Sequence, residues 1–291
     1  MPEERSHDNT SGTTKPVDPR NKLNDLSAVE WIAETVSVYV QRGLGRGHKD
    51  AQIERQHPAP FSFQDVERLV RFFTKKGGTV LDPFCGVAST LKACALSGRR
   101  GVGIELNPRY VELAGQRMAT EVPPSALRRF PQEIIEGDAL EVIDRFATGR
   151  FDFLVTSPPY WSILRKVDHK VRQERVENGL DVTYGDDKRD LANISDYASF
   201  LEVLAGFFER CARVLRPRAY VCIVVSDFRE KDRFTMYHAD LANRLESGGH
   251  YVLKGITVIY QKYKRVFPYG YPFAYVPNIH HQYVLILQKR M

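Results

Sequence analysis

Apolar runs alternate with helical patterns along most of this 291-residue chain. Seven short apolar runs predict strands over Thr79–Asp82, Gly101–Glu105, Glu133–Glu136, Phe151–Thr156, Ala219–Ser226, Val252–Tyr260 and Gln282–Leu287. Between them, helical spacing predicts helices over Thr90–Leu96, Pro108–Met118 and Tyr197–Val214. This alternation indicates an α/β fold with a doubly wound, mostly parallel seven-stranded sheet. Ligands of such sheets bind beyond the carboxyl ends of the strands, where the strand order reverses.

The N-terminal region has a different pattern. Residues 1–27 are polar and contain few apolar positions, which predicts a disordered tail before one folded domain over 28–291. Ser27 and Glu30 have the spacing of a capping box and predict the start of a helix. Four of its apolar residues are expected to face inward: Trp31, Ile32, Val36 and Val40. A further amphipathic helix is predicted over Phe63–Phe73.

Composition limits the classes of function. Hydrophobic residues make up 43% of the chain, but no apolar run approaches the roughly twenty residues that cross a bilayer, so no membrane role is expected. The four cysteines lack CxxC spacing, which favours neither zinc nor a disulfide framework and suits the cytoplasm. The net charge is +6, and no Asp or Glu follows Glu246. A basic end suits a polyanion such as DNA, although a solvated basic face has the same composition.

Three successive predicted strands end near an acidic residue. Asp82 begins the turn Asp82-Pro83-Phe84-Cys85-Gly86, whose glycine and following helix N-terminus suit a nucleotide-like ligand. Glu105 comes about twenty residues later, where a carboxylate can accept both ribose hydroxyls. Asp138, followed by Ala139, can accept a hydrogen bond from an adenine amino group. Each acid alone also suits a helix N-cap or a solvated loop, but together they indicate a cofactor pocket.

The fourth strand ends in the tetrad Ser157-Pro158-Pro159-Tyr160. Proline fixes φ and donates no hydrogen bond, so this turn is rigid and the Pro158 carbonyl is free to face a cleft. That carbonyl, the Ser157 hydroxyl and the Tyr160 ring can hold a planar base by its exocyclic amino group. A rigid strand-to-loop turn without a ligand has the same pattern. Trp161 is either a second platform for the base or an anchor in the core.

These motifs resemble the amino-methyltransferases of DNA, which move a methyl group from S-adenosylmethionine to a base nitrogen. The first cofactor motif corresponds to Asp82-Pro83-Phe84-x-Gly86, with Ala88 where a third glycine is usual, and the second to Gly103-Ile104-Glu105. The segment His57-Pro58-Ala59-Pro60-Phe61 is similar to the family element beside the methionine end of the cofactor, so Pro60 and Phe61 are expected to contact it. The order, with cofactor motifs first, resembles the γ-type arrangement.

The resemblance implies the chemistry. Ser157 and the Pro158 carbonyl would hold the amino hydrogens, and Tyr160 would stack on a base flipped out of the duplex. Serine at the first tetrad position favours cytosine N4, with adenine N6 as the alternative. Cytosine-C5 chemistry needs a thiolate, typically in a Pro-Cys pair that this chain lacks. The family often has His-Glu-Tyr where this chain has His281-Gln282-Tyr283, and His281 is interpreted as structural.

Two segments compete for double-stranded DNA. Residues 161–196 mix basic and acidic side chains, whereas residues 260–280 combine basic residues with aromatics. Phosphate contacts are expected from Lys262, Lys264 and Arg265. The alternation of aromatics from Tyr269 to Tyr275 also suits a strand with one face on the core.

Other functions stay open at this point. The enzyme alternative is methylation of a guanine amino group in RNA, and the non-enzymatic alternative is an inactive DNA-binding module. A cytoplasmic, nucleoid-associated protein is expected, and a cognate restriction enzyme is a further expected partner. The sequence leaves the recognition site and the oligomeric state undecided.

Overall fold

A mixed sheet lies at the centre of the computed structural model, which describes residues 16–43, 48–58, 61–161, 187, 189–230 and 233–291. The strands, in chain order, are β1 Val38–Val40, β2 Thr79–Asp82, β3 Arg100–Glu105, β4 Gln132–Glu136, β5 Phe151–Thr156, β6 Leu215–Val225, β7 Phe228–Glu230, β8 Arg233–Thr235, β9 Tyr251–Tyr260 and β10 His281–Lys289. Strands β7 and β8 pair only with each other, and the other eight form the main sheet.

Nine α-helices are described. They are α1 Ala28–Glu34, α2 Ala51–Glu54, α3 Phe63–Phe73, α4 Ser89–Ser97, α5 Pro108–Glu121, α6 Pro124–Arg129, α7 Ala139–Val142, α8 Tyr197–Val214 and α9 Tyr237–Ser247. Two short 3₁₀ turns cover Ile143–Arg145 and Leu191–Asn193. None of the helices in the described ranges is both long and apolar enough to cross a bilayer.

The strand order of the main sheet is β1-β9-β10-β6-β5-β2-β3-β4. Only β10 runs antiparallel to its neighbours, so the sheet is mainly parallel, as predicted. The chain leaves β2 toward β3 and β4 on one side and returns to β5 on the other side. The order therefore reverses between β2 and β5, and a ligand site is expected at the carboxyl ends of these two strands.

Helices cover both faces of the sheet because successive strand residues point to opposite faces. Leu154 of β5 packs with α8 and α9 in one core cluster. Phe153 and Val155 pack with α3 and α4 in another. The α/β fold class and the doubly wound arrangement are thus confirmed. The main sheet has eight strands where seven were predicted, because the three-residue strand β1 falls in a region that was assigned to a helix.

The N-terminal predictions are partly wrong. Ser27 and Glu30 form the capping box, but α1 ends at Glu34, before Val36 and Val40. With two turns only, α1 reaches α3 through Trp31, whose ring lies 4.8 Å from that of Phe72. Ile32, by contrast, is 71% exposed. Three of the four residues expected to face inward are therefore exposed: Ile32, Val36 and Val40.

Part of the predicted tail belongs to the folded structure. Residues 1–15 lie outside the described ranges. In the described part, Asn24 and Leu26 are buried, and the Asn24 side-chain amide donates a hydrogen bond of 2.7 Å to the Phe72 carbonyl. Ordered packing therefore includes residues before position 27.

A buried charge network fixes α2 beside the switch point. Arg117 of α5 is fully buried and donates to Glu54 at 2.6 Å and to Glu121 at 2.9 Å. Lys92 of α4 is buried too and donates to Glu121 and Asp50. Because a buried charge without a partner is costly, this pairing holds α2, and the chain that follows it, against α4 and α5.

Candidate active site

A cavity of about 260 Å³ opens at the carboxyl ends of β2, β3, β4 and β5. It is lined by groups from both halves of the predicted site, with Glu105 and Asp138 on one side and Ser157 and Pro159 on the other. The other predicted cofactor residues in its wall are Pro83, Phe84 and Ala139. The fold therefore brings the cofactor motifs and the tetrad to one cavity at the switch point.

Asp82 ends β2 and is buried. Its carboxylate accepts hydrogen bonds from the Thr156 hydroxyl of β5 at 2.6 Å, from the Thr90 hydroxyl of α4, and from the Phe84 N–H at 3.2 Å. Burial raises the pKa of Asp82 from 3.8 to about 6, although these three donors act in the opposite direction. Asp82 thus ties β2, β5 and α4 together directly beneath the turn. Cofactor contact by Asp82 stays a prediction.

Glu105 ends β3 and connects the first two cofactor motifs. Its carboxylate accepts the Gly86 N–H and the Asn107 N–H, both at 2.8 Å. Burial raises the pKa of Glu105 from 4.5 to about 7, while the two N–H donors partly offset this effect. A carboxylate at the cavity wall that titrates near neutral pH is a functional candidate.

Two glycines let the turn after β2 approach its neighbours closely. Gly86 has φ of +50°, and a Cβ there would meet the His57 ring at 3.1 Å. Gly103 lies beneath the turn, where a Cβ would meet the Cys85 sulfur at 2.7 Å. Ala88, which replaces the usual third glycine, has φ of +62° and therefore takes the left-handed conformation that glycine adopts without strain.

Asp138 follows β4 and is the N-cap of α7. Its carboxylate accepts the Leu140 N–H at 2.9 Å, as a helix N-cap does. The same side chain lines the cavity, and Ala139 is the first residue of α7. The N-cap interpretation of Asp138 is therefore observed, and it is compatible with a role in ligand binding.

A smaller cavity of about 30 Å³ adjoins the main one, because His57, Phe84 and Ser157 line both. Phe61 and Asp82 contribute to the smaller cavity only, as does Gly86. Pro60 lies outside the described residues. Among the residues of the cofactor prediction that the structure describes, each therefore lines one of these two cavities.

The tetrad forms the turn after β5. Ser157 is half-buried and its hydroxyl donates to the Val224 carbonyl of β6 at 3.1 Å. Pro159 lines the cavity, whereas Pro158 is buried and is not part of its wall. The free Pro158 carbonyl expected in the cleft stays a prediction.

Tyr160 is more deeply buried than a ring that stacks on a base, because such a ring must expose one face to the cavity. Only 8% of this residue is exposed, and it belongs to the main core cluster. Its hydroxyl accepts a hydrogen bond of 2.9 Å from the Gln282 side-chain amide. Trp161 is buried as well, and its ring N–H donates to the Ile194 carbonyl at 2.8 Å. Trp161 therefore anchors the core.

The segment between β9 and β10 starts at the same edge of the sheet as the tetrad, because β9 runs parallel to β5 and β10 returns from it. It contains the predicted phosphate contacts Lys262, Lys264 and Arg265, all of which are exposed. Its aromatics are also exposed and do not pack one face on the core; Phe273, for example, is 93% exposed. Of the competing segment 161–196, residues 162–186 and 188 lie outside the described residues.

Sequence reasoning missed several residues of the main cavity. Leu106 and Asn107 follow Glu105 directly, so the end of the same strand would have indicated them, and Tyr110 lies in the first turn of α5. Asp190 and Leu191 come from the end of the segment that was assigned to DNA. Asp190 caps the following 3₁₀ turn by accepting the Ala192 N–H. No sequence signal distinguishes this structural Asx cap from a solvated loop.

The residues present fit S-adenosylmethionine. Among the acidic residues that line the main cavity, Glu105 and Asp138 suit ribose hydroxyls and an amino group. Apolar side chains in the same wall suit an adenine ring: Ile104, Leu106, Tyr110 and Leu140. Within the described ranges, no group of three or more His, Cys, Asp or Glu residues forms a candidate metal site.

Comparison with known proteins agrees with the motifs. Residues 9–116 match the model of the N6_N4_Mtase family, described as DNA methylase. The chain is 32% identical over 97 residues to the type II methyltransferase M.BglI of Bacillus subtilis, and this alignment covers 33% of this chain and 26% of that protein. It is 36% identical over 76 residues to the type II methyltransferase M.ScaI of Streptomyces caespitosus, an alignment that covers 26% of this chain and 25% of that protein. The matches thus span about a quarter of these relatives.

Among solved structures, a SAM-dependent methyltransferase from Methanosarcina mazei matches 74% of this chain and 94% of that chain, with 16% identity and a TM-score of 0.44. The family match, which spans residues 9–116, agrees with the resemblance drawn from the motifs. S-adenosylmethionine is the methyl donor that this match implies. The matched residues end before the tetrad.

Proposed function

We propose that this chain, whose residues 9–116 match a DNA methylase family model, transfers a methyl group from S-adenosylmethionine to N4 of a cytosine flipped out of double-stranded DNA. The observation that carries the proposal is the shared cavity. Glu105 and Asp138, the acids expected to hold the cofactor, line the same 260 Å³ space as Ser157 and Pro159 of the tetrad. A methyl donor and an acceptor amine must meet within such a space.

The cofactor is assigned to the ends of β2, β3 and β4. Glu105 would accept its ribose hydroxyls, and Asp138 its adenine amino group. Asp82 would act by holding the turn that carries Gly86, since its oxygens bind Thr156, Thr90 and Phe84. When bound, the cofactor supplies an electrophilic methyl group on a sulfonium that leaves as a neutral thioether.

Ser157 and Pro158 are assigned to the amino group of the base. The amino lone pair is delocalised into the ring, so acceptors that hold both amino hydrogens would direct the lone pair toward the methyl donor. On transfer, the base nitrogen would gain the methyl group as the bond from that group to sulfur breaks, and one amino proton would pass to water. No covalent enzyme intermediate is needed. This agrees with Cys85, whose thiol pKa is raised by burial well above its usual value.

The target base must leave the duplex, because its amino group is unreachable in the helix. Stacking on Tyr160 would require some of its buried ring to be uncovered when the base enters. Lys262, Lys264 and Arg265 extend from the same edge of the sheet and would neutralise phosphates, while the neighbouring exposed aromatics would contact bases. In a bacterial cell, such a protein would meet its substrate at the nucleoid.

The test of the reaction is mass spectrometry of nucleosides from a methylation-deficient bacterial host that expresses the chain, beside a Ser157→Ala control. N4-methylcytosine in the parent and none in the variant supports the proposal. N6-methyladenine would keep the cofactor site but overturn the choice of base drawn from Ser157. Neither mark, from a folded protein that binds S-adenosylmethionine in calorimetry, would redirect attention to RNA. Failure to bind the cofactor would favour an inactive DNA-binding module.

The DNA assignment has its own test. Replacing Lys262, Lys264 and Arg265 by Ala is expected to weaken binding to genomic DNA fragments and to reduce the slope of log K against log salt by about 3, roughly one per lost phosphate contact. A matched control removes the same charge from the opposite edge of the sheet, at Lys75, Lys76 and Arg100, all exposed. Equal slopes for the two triple variants would contradict the assignment.

A further inference from the structure

The loop between β9 and β10, residues 261–280, has its root beside the tetrad. Gln282, the second residue of β10, donates its side-chain amide to the Tyr160 hydroxyl at 2.9 Å. The two ends of the loop are tied together, because the Gln261 N–H donates to the His280 carbonyl at 2.9 Å. The 261–280 loop therefore starts and ends next to the proposed pocket for the target base.

Hydrogen bonds hold the backbone of this loop in one shape. The Asn278 side chain brackets Phe267, because it accepts the Phe267 N–H at 2.9 Å and donates to the Phe267 carbonyl at 2.8 Å. The Phe273 N–H and the N–H that follows it both donate to the Gly270 carbonyl at 2.7 Å. Gly270 has φ of +76°, which a residue with a side chain rarely adopts. The loop thus contains a tight turn whose tip, residues 271–273, is fixed before any ligand binds.

The tip and its flank carry aromatic rings that the protein leaves uncovered. Among the large hydrophobic residues that the structure describes, Phe273 is the most exposed, at 93%. Tyr271 and Tyr275 are exposed as well, to 81% and 90%. A single exposed apolar residue is ordinary on a protein surface, but three large rings within five positions at a fixed turn indicate a contact surface. Each ring can bury about 150–250 Å² against a partner.

The charge around the tip indicates that the partner is a nucleic acid. Lys262, Lys264 and Arg265 are exposed in the same loop, which contains no Asp or Glu. Phosphates can pair with these cations while bases stack on the rings. Phe273 differs from the two tyrosines beside it in having no polar atom on its ring. A phenylalanine ring can therefore enter a base stack without leaving a hydroxyl that lacks a hydrogen-bond partner.

We propose that Phe273 is inserted into the DNA duplex beside the target base and fills the space that the base leaves when it is flipped out. Apolar side chains, phenylalanine among them, act as wedges of this kind between base steps. The inference rests on the proposed function, in which a base leaves the duplex, and it holds for cytosine and adenine alike. It assigns to the 261–280 loop a part in the flipping step, in addition to DNA binding.

The experiment compares two duplexes that contain the sequence methylated by the parent, which is read by sequencing modified bases in host DNA. In one duplex the target base is paired, and in the other it faces an abasic position, so that it leaves the helix at lower cost. With DNA saturating, Phe273→Ala should lower the single-turnover rate of methyl transfer about tenfold on the paired duplex, because a stacking contact is lost. The loss on the abasic duplex should be less than about twofold. Phe273→Trp keeps a flat ring and should retain the rate of the parent on both.

Ile32→Ala is the matched control. Ile32 is a large apolar residue of α1 that is 71% exposed. It lines a groove with Thr79 and Arg100, which begin β2 and β3, at the opposite edge of the sheet from the tetrad. Its truncation removes exposed apolar surface of similar kind and should leave the rate unchanged on both duplexes.

Fluorescence gives a second measurement that does not depend on turnover. Phe273→Trp adds a third tryptophan to the two of this chain. Its emission should be quenched when the paired duplex is added, beyond any change in the parent, because the new ring would stack on bases. An emission that responds to DNA no more than that of the parent overturns the inference, even if Phe273→Ala does not fold.

The outcomes separate the two proposals. A parent that methylates DNA, with Phe273→Ala equally fast on the paired duplex, overturns the role of Phe273 alone. An equal loss on both duplexes also overturns it, because the ring would then serve docking and not flipping. If Phe273→Ala dissociates a dimer of the parent in sedimentation, the rings contact a second copy of this chain, and the inference is again overturned. A parent that leaves no methylated base on DNA overturns the proposed function, and this inference with it.

Discussion

Glu105 gives the sharpest prediction about the cofactor site, because it lines the main cavity and its pKa is raised to about 7. Hydrogen bonds from ribose hydroxyls favour the ionised carboxylate over the protonated acid. S-adenosylmethionine should therefore bind more tightly as Glu105 loses its proton. Glu105→Gln keeps the size of the side chain and removes the titration.

The size of the effect follows from the pKa. If only the ionised form binds well, the apparent Kd is multiplied by one plus the ratio of protonated to ionised carboxyl. For a pKa of about 7, this factor is about 11 at pH 6 and about 1.1 at pH 8. The parent should consequently bind about tenfold more tightly at pH 8 than at pH 6 through this group.

Calorimetry at pH 6, 7 and 8 measures both proteins, and the ratio of their affinities cancels the titration of the cofactor itself. The ratio of the variant's Kd to the parent's should therefore be about tenfold larger at pH 8 than at pH 6. In buffers of different ionisation enthalpy at pH 7, the parent should also release about half a proton more than the variant on binding. An affinity ratio that is the same at pH 6 and pH 8 would refute the assignment of Glu105 to the cofactor.

Two predictions concern stability. Gly103→Ala places a methyl group 2.7 Å from the Cys85 sulfur and should lower the free energy of unfolding, measured in urea, by about 1–3 kcal/mol. Gly206→Ala in α8, where no atom lies within 4 Å of the new Cβ, should raise it by up to about 1 kcal/mol. Equal effects of the two substitutions would contradict the packing argument. Asp65 is buried in α3, and burial raises its pKa from 3.8 to about 7. The folded protein thus holds the proton more tightly than the unfolded chain, so the free energy of unfolding should fall as pH rises from about 4 to about 7. Asp65→Asn removes this pH-dependent loss of stability. The free energy of unfolding of the variant minus that of the parent should therefore increase by a few kcal/mol from pH 5 to pH 8. A constant difference across these pH values would show that Asp65 does not titrate in this range.

The sequence predicted most of the sheet because buried parallel strands are continuous apolar runs that end in polar turns. Strands β2 and β5 have the predicted bounds, Thr79–Asp82 and Phe151–Thr156. Helices α3 and α8 begin and end as predicted too. The meeting of Glu105 with Ser157 at one cavity also follows, because the carboxyl ends of parallel strands share an edge.

Other features depend on tertiary contacts that no local pattern encodes. Strand β1 has only three residues and exists because it pairs with β9, more than 200 positions later. The depth of Tyr160 depends on the core around it, and its hydrogen bond to Gln282 joins residues 122 positions apart. Charge alone could not place Lys262, Lys264 and Arg265, and only the direction of β9 shows that they leave the sheet at the edge of the site.

The position of β10 has a consequence for the order in which the protein is made. Strand β10 lies between β6 and β9, and it is the last strand of the sheet along the chain. The strands that carry Glu105, Asp138 and Ser157 are all synthesised long before it, and domains begin to fold as they emerge from the ribosome. The hydrogen bond from Gln282 to Tyr160 can form only after β10 has been synthesised. Under the proposed function, a nascent chain would therefore complete its cofactor pocket first and its base pocket last, and would hold the methyl donor before it could present a methyl group to DNA.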